Sequence, residues 1–127
     1  MIEEELQRVS RNANVAIRMF AEIEGHTLGF DEDSIRIVDE FVNTKVGVFA
    51  DQILSNMVSV LGAFLGECVR KNWGGTWDII NSELGIRFDE KNAVFPFSKV
   101  RKQLENGAAD SILSFYQIIP IVFQLKK

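Results

Sequence analysis

Few residues of this chain combine a reactive side chain with a setting in which it could be used. Glu67 is the foremost. It stands between Gly66 and Cys68 inside the apolar stretch VSVLGAFLGECV (58–69). A carboxylate placed there requires a partner for its charge. Arg70, Lys99 and the indole N–H groups of Trp73 and Trp77 are the available ones. Glu67, Trp73, Trp77 and Lys99 are therefore the candidate binding residues. Glu67 is either a buried polar anchor or a group that binds ligand or moves protons in a pocket.

Other chemistries find less support. One histidine, His26, and one cysteine, Cys68, lie far apart in sequence and form no ligand set of known spacing, so no metal site is expected. Asp31, Glu32 and Asp33 lack the spacing of a calcium loop, and helix capping accounts for them. Cys68 falls on an apolar helical stripe, the setting of a structural thiol rather than a nucleophile. Ser111 and Ser114 sit in no nucleophile elbow. The pair Gly74-Gly75 follows a helix, so it faces that helix's carbonyl end, which repels phosphate. Arg70 and Lys71 suit the helix end they occupy, whereas Lys99, Arg101 and Lys102, near a helix start, read as a solvated face in preference to an anion site. No catalytic residue and no cofactor are expected.

These residues must be positioned by helices and a small sheet. Ile2, Leu6, Val9, Ala13, Ile17, Phe20 and Ile23 recur at helical spacing, and Gly25 stops that helix. Asp31 caps a second helix running to about Thr44, with Ile35, Val38, Phe41 and Val42 inward. A central helix begins near Phe49 and ends at Gly74-Gly75. It carries Ile53, Leu54, Met57, Leu61, Phe64, Leu65 and Cys68 on one face and further apolar residues beyond it, which predicts burial on more than one side. Ser55, Ser59, Gly62 and Gly66 form a row of small residues suited to the close approach of another backbone. The uncharged run between Asp51 and Glu67 is too short for a membrane span.

After Gly75 the period changes to two. Trp77 and Ile79 mark one strand, Ile86 and Phe88 a second, and Ala93 to Phe95 a third, ended by Pro96. Short links favour an antiparallel meander. Ser98 is read as the cap of a short helix carrying Val100 and Leu104. Asp110 or Ser111 caps the last helix, which Pro120 should kink or end. The apolar tail 121–125 is expected to dock on the body or on a partner. The fold expected is thus a single α+β domain over residues 1–127. It has three N-terminal helices, a three-stranded antiparallel meander and two C-terminal helices.

Composition narrows the class of function. With 46% hydrophobic residues the chain is not of the disordered class, and a net charge of −4 disfavours a broad nucleic-acid surface. A single cysteine allows no internal disulfide, which suits a reducing cytoplasm. The acidic N-terminal residues Glu3 to Glu5, with no apolar run beside them, give no sign of a signal peptide.

Five segments occur in an order that resembles a family of uncharacterised bacterial domains. They are DSIRIVDEFV (33–42), LGAFLGE (61–67), GGTW (74–77), FPFSKVRK (95–102) and NGAADSILSFY (106–116). The resemblance implies a bacterial origin and an α+β domain, and it supplies no catalytic residue. Its recurrent positions correspond here to Asp39, Gly62, Glu67, Gly75, Trp77, Pro96 and Lys99, and Trp73 is not among them. The expectation for function is a small cytoplasmic protein-interaction module, of adaptor or immunity type. It would bind another protein or a second copy of itself, and neither nucleic acid nor membrane. The alternative is a small-ligand-binding domain or enzyme with a pocket around Glu67, Lys99 and Trp77.

Overall fold

Apolar side chains at helical spacing bury best when the longest apolar helix lies in the middle, and the architecture follows from that. The computed structural model describes residues 2–125. Its elements run α1 (Ile2–Met19), α2 (Glu32–Thr44), α3 (Asp51–Trp73), β1 (Thr76–Ile80), β2 (Glu83–Arg87), β3 (Ala93–Val94), α4 (Pro96–Asn106) and α5 (Ile112–Val122). A π-helical turn, Phe20–Glu24, prolongs α1, and a 3-10 turn, Ala108–Asp110, precedes α5. The α+β order of three helices, an antiparallel sheet and two helices is the one expected.

α3 is the central helix, and α1 and α4 are its main neighbours. Leu61, Phe64, Leu65, Cys68 and Val69 are fully buried. Small side chains on the facing stripe of α1, Ala13 and Ala16, let that helix come close, while Val9 and Phe20 fill the space above and below. α2 contributes Ile35, Val38 and Val42, and α5 contributes Ile112, Tyr116 and Ile119. By length and composition α3 could cross a bilayer, yet more than half of its most apolar window, 56%, is buried inside the protein.

The sheet covers the C-terminal half of α3. Its strand order is β1-β2-β3, with Trp77 paired to Ile86 and Ile86 to Val94. That register sets three buried side chains in one row across the inner face. A two-residue turn at Asn81-Ser82 joins β1 to β2, and both residues have positive φ, 51° and 69°, as a type I′ hairpin requires.

Several boundaries differ from the sequence reading. α3 starts at Asp51 rather than near Phe49, with Ala50 at its cap position and no side-chain cap bond. Phe88 lies past the end of β2, where its ring packs 5.4 Å from that of Phe123. Ser98 is not a cap: α4 begins at Pro96, whose fixed φ suits a first helical position, and the Ser98 hydroxyl donates to Glu83 instead. Ser111, not Asp110, caps α5, accepting from the Ser114 N–H. Pro120 neither ends nor breaks α5, which continues to Val122, because so near the C-terminus it removes a single ladder bond. The row of small residues on α3 admits the α4 backbone at Phe97, whose Cα would lie 3.0 Å from a Cβ on Gly62, together with aromatic rings. A Cβ at Gly62 would collide with the Phe97 ring, and one at Gly66 with the Trp77 indole.

Candidate functional site

Glu67 lies nearly two turns before the end of α3 at Trp73, on the side that meets β1. The turn after α3 makes this possible. Gly75 has φ +94°, and a side chain there would strike Ile86 and Phe88. The chain therefore reverses tightly and brings Trp77 back over Gly66, where its indole replaces the missing side chain. The indole Nε1–H then donates to Glu67 Oε2 at 2.9 Å. From the next turn of α3, Arg70 donates through Nε to Oε2 at 2.8 Å and through Nη2 to Oε1 at 3.1 Å. The Glu67 side chain is only 12% exposed, and Arg70 is 37% exposed.

Three donors on one carboxylate fix its ionisation. Burial pushes the Glu67 carboxyl up, but the hydrogen bonds from Arg70 and Trp77 together with the charges of Arg70 and Lys71 outweigh it and hold the group below the usual glutamate range. Arg70 is raised in turn, chiefly by its bond to Glu67. A carboxylate so engaged is a poor general acid and a poor cation ligand, since its lone pairs already face donors. Its role is to hold the Arg70 guanidinium in one plane.

A cavity of about 400 Å³ opens beside this pair, between α1, the end of α3 and the start of β1. Leu6, Val9 and the Trp77 indole form its apolar walls, with Ser10, Thr76 and Arg70 as its polar groups. A second cleft continues from it past Leu6 and Thr76 toward Arg87, which is paired at 3.1 Å with Asp78.

The four candidate residues separate. Glu67 and Trp77 meet directly. Trp73 packs on the α5 side of α3, its ring 5.5 Å from that of Tyr116. Lys99 reaches Asp110 at 3.5 Å, between α4 and the 3-10 turn, and lines neither cleft at Glu67. Among the described basic residues the one paired with Glu67 is Arg70, three positions on along the same helix. Cys68 is buried, and burial drives its thiol well above the usual range, the opposite of an activated nucleophile. His26 lies in the loop after α1, exposed to solvent.

One polar centre escaped the reading from residue types. Asp39, buried on α2, accepts from Gln103 Nε2 at 3.0 Å, from the Ser111 hydroxyl at 2.7 Å and from the Leu113 N–H at 3.3 Å. Gln103 also donates to Asn43 Oδ1 at 2.9 Å and accepts from the Ile112 N–H at 2.8 Å. This network ties α2, α4 and the start of α5 together, and its polar groups are engaged with one another rather than aimed at a cavity. The signal for it was present: Asp39 shares a helical face with Ile35, Val38 and Val42, the same kind of setting that singled out Glu67.

Comparison of the chain with known family models, curated proteins and solved structures gives no match.

Proposed function

We propose that this chain is a protein-interaction module, of adaptor or immunity type, working in a bacterial cytoplasm. The observation that carries the reading is the outer face of α5. Ile118, Ile121 and Val122 stand at the i, i+3, i+4 positions of one helical face, 51%, 74% and 57% exposed. Isolated exposed apolar residues are ordinary, but branched side chains grouped on one face mark a surface that another molecule covers. The separation of Glu67 from Lys99 weakens the alternative of a pocket built on both. The buried lone thiol suits a reducing compartment. The bacterial setting rests on the resemblance of the five sequence segments.

The test is affinity capture from bacterial cytosol with the native chain and with the double variant Ile118→Asp, Ile121→Asp. The expected outcome is a protein retained by the native chain, lost with the variant, and binding again when purified. Equal capture by the two, with unchanged thermal unfolding of the variant, would move the interaction surface elsewhere.

A further inference from the structure

Arg70 is held side-on. Its Nε–H and one Nη2–H point at Glu67, which leaves the end-on fork, Nη1 and the second Nη2–H, without a hydrogen-bond partner among the described residues. A guanidinium has two bidentate edges, and each matches the spacing of a carboxylate. Here one edge is filled by the protein's own carboxylate, and Arg70 lines a cavity of about 400 Å³, within the size range of small-ligand sites. The two hydrogen bonds to Glu67 fix the guanidinium plane, and the Trp77 N–H holds Glu67 in turn, so little side-chain entropy remains to be lost on binding.

We infer that this cleft is a binding site for a monocarboxylate with an apolar body, its carboxylate on the free fork of Arg70. The chemistry of the walls selects that class. Every polar hydrogen of the guanidinium is a donor, so the group bound there must be an acceptor. Glu67 already balances the charge of Arg70, and the Lys71 ammonium, which also acts on Glu67, sits over the Phe30 ring rather than in the cleft. The lining therefore carries little excess positive charge, which suits a monoanion better than a phosphate dianion. A metal cation is disfavoured, because the Glu67 oxygens face three donors. Leu6, Val9 and the Trp77 indole offer apolar surface in the same cleft, and Ser10 and Thr76 add hydroxyls to its lining. The same chemistry fits a free organic acid or the C-terminal carboxylate of a peptide. The inference is independent of the α5 surface, which lies on a different helix.

Two-dimensional ¹⁵N NMR reads the site directly through the Trp77 Nε1–H and Arg70 Nε–H signals. Hexanoate is the probe for a free acid, hexanamide its uncharged control. A pentapeptide ending in Val, with a free or an amidated C-terminus, tests the second source. The expected result is a saturable shift of both signals with hexanoate or with the free-acid peptide, at a Kd of about 1 mM or tighter. The amides should bind at least about tenfold more weakly, and whichever acid binds more tightly identifies the source. Arg70→Gln should abolish the shift of the Trp77 signal. Because that change also disturbs Glu67, Leu6→Trp gives a second readout: it fills the cavity from a half-exposed position and should weaken binding at least about tenfold with the Glu67–Arg70 pair intact. No saturable shift with either acid, or equal shifts with acid and amide, would overturn the site. So would undiminished hexanoate binding by Leu6→Trp.

Discussion

Removing the Glu67 carboxylate leaves the Arg70 guanidinium and the buried Trp77 indole without their acceptor. Glu67→Ala is therefore expected to destabilise the protein by about 1–3 kcal/mol in urea unfolding. A loss below about 0.5 kcal/mol, the range of exposed sites, would mean that the indole finds water instead. The pH dependence has a definite sign. Folding lowers the Glu67 pKa, so its contribution is complete above the ordinary value of 4.5 and is lost as pH falls through the folded value. The stability gap between the native chain and Glu67→Gln should be largest near neutral pH and should shrink below pH 4.5; a constant gap would contradict the pairing. Gly66 was legible as a small residue in a row of small residues, but what it admits was not. Side-chain identity at Trp77, 10 positions beyond Glu67, decides that, through a turn whose direction depends on positive φ at Gly75. Gly66→Ala should cost about 1–3 kcal/mol by overpacking against the indole, with the Trp77 fluorescence changed.

At the scale of elements, periodicity carried the helices and the sheet because each buries one face against α3. What periodicity could not supply were the devices that use polar atoms across long separations. Asp39 and Gln103 are 64 positions apart and meet only after α2, α4 and α5 have packed. The Ser98 cap failed for a related reason: Pro96 already provides a helix start, which frees the hydroxyl for Glu83. The hairpin turn left a weaker trace still. Asn81-Ser82 is an uncommon pair for a type I′ turn, and Ser82 holds φ +69° without the freedom of glycine. Ser82→Gly produces the favoured Asn-Gly sequence and should raise stability by about 0.5–1 kcal/mol in chemical denaturation; a loss of stability would show that the Ser82 side chain has a role of its own. Next to that turn, Ile80 and Glu83 form the closing pair of the hairpin, so the Ile79 N–H points away from β2. Asp78 Oδ1 accepts it at 2.8 Å, which blunts the open edge of β1 against pairing with another chain.

For the whole molecule, the question is how much apolar surface the fold leaves uncovered. The long stripe of α1, on sequence grounds, could have demanded a second copy. In the structure its middle, Val9, Ala13, Ala16 and Phe20, is buried on α3 within one chain, and only its ends, Ile2, Leu6 and Ile23, remain exposed. The apolar tail divides in the same way. Phe123 packs on Phe88, while Ile121 and Val122 face outward. The uncovered face of α5 thus amounts to three branched side chains, on the order of a few hundred Å². A stable two-fold dimer buries about 800 Å² on each partner, so this patch alone is too small to hold one together. It is large enough for the apolar centre of a mixed interface whose rim the partner supplies. The expected oligomeric state is accordingly a monomer in dilute solution. Sedimentation equilibrium across a concentration series, from about 10 μM to several hundred μM, should return one mass close to that of a single chain, with Ile121→Asp indistinguishable from the native protein at the lower end. A dimer already complete at about 10 μM and dissociated by Ile121→Asp would contradict this, and would make a second copy of the chain the occupant of the α5 face.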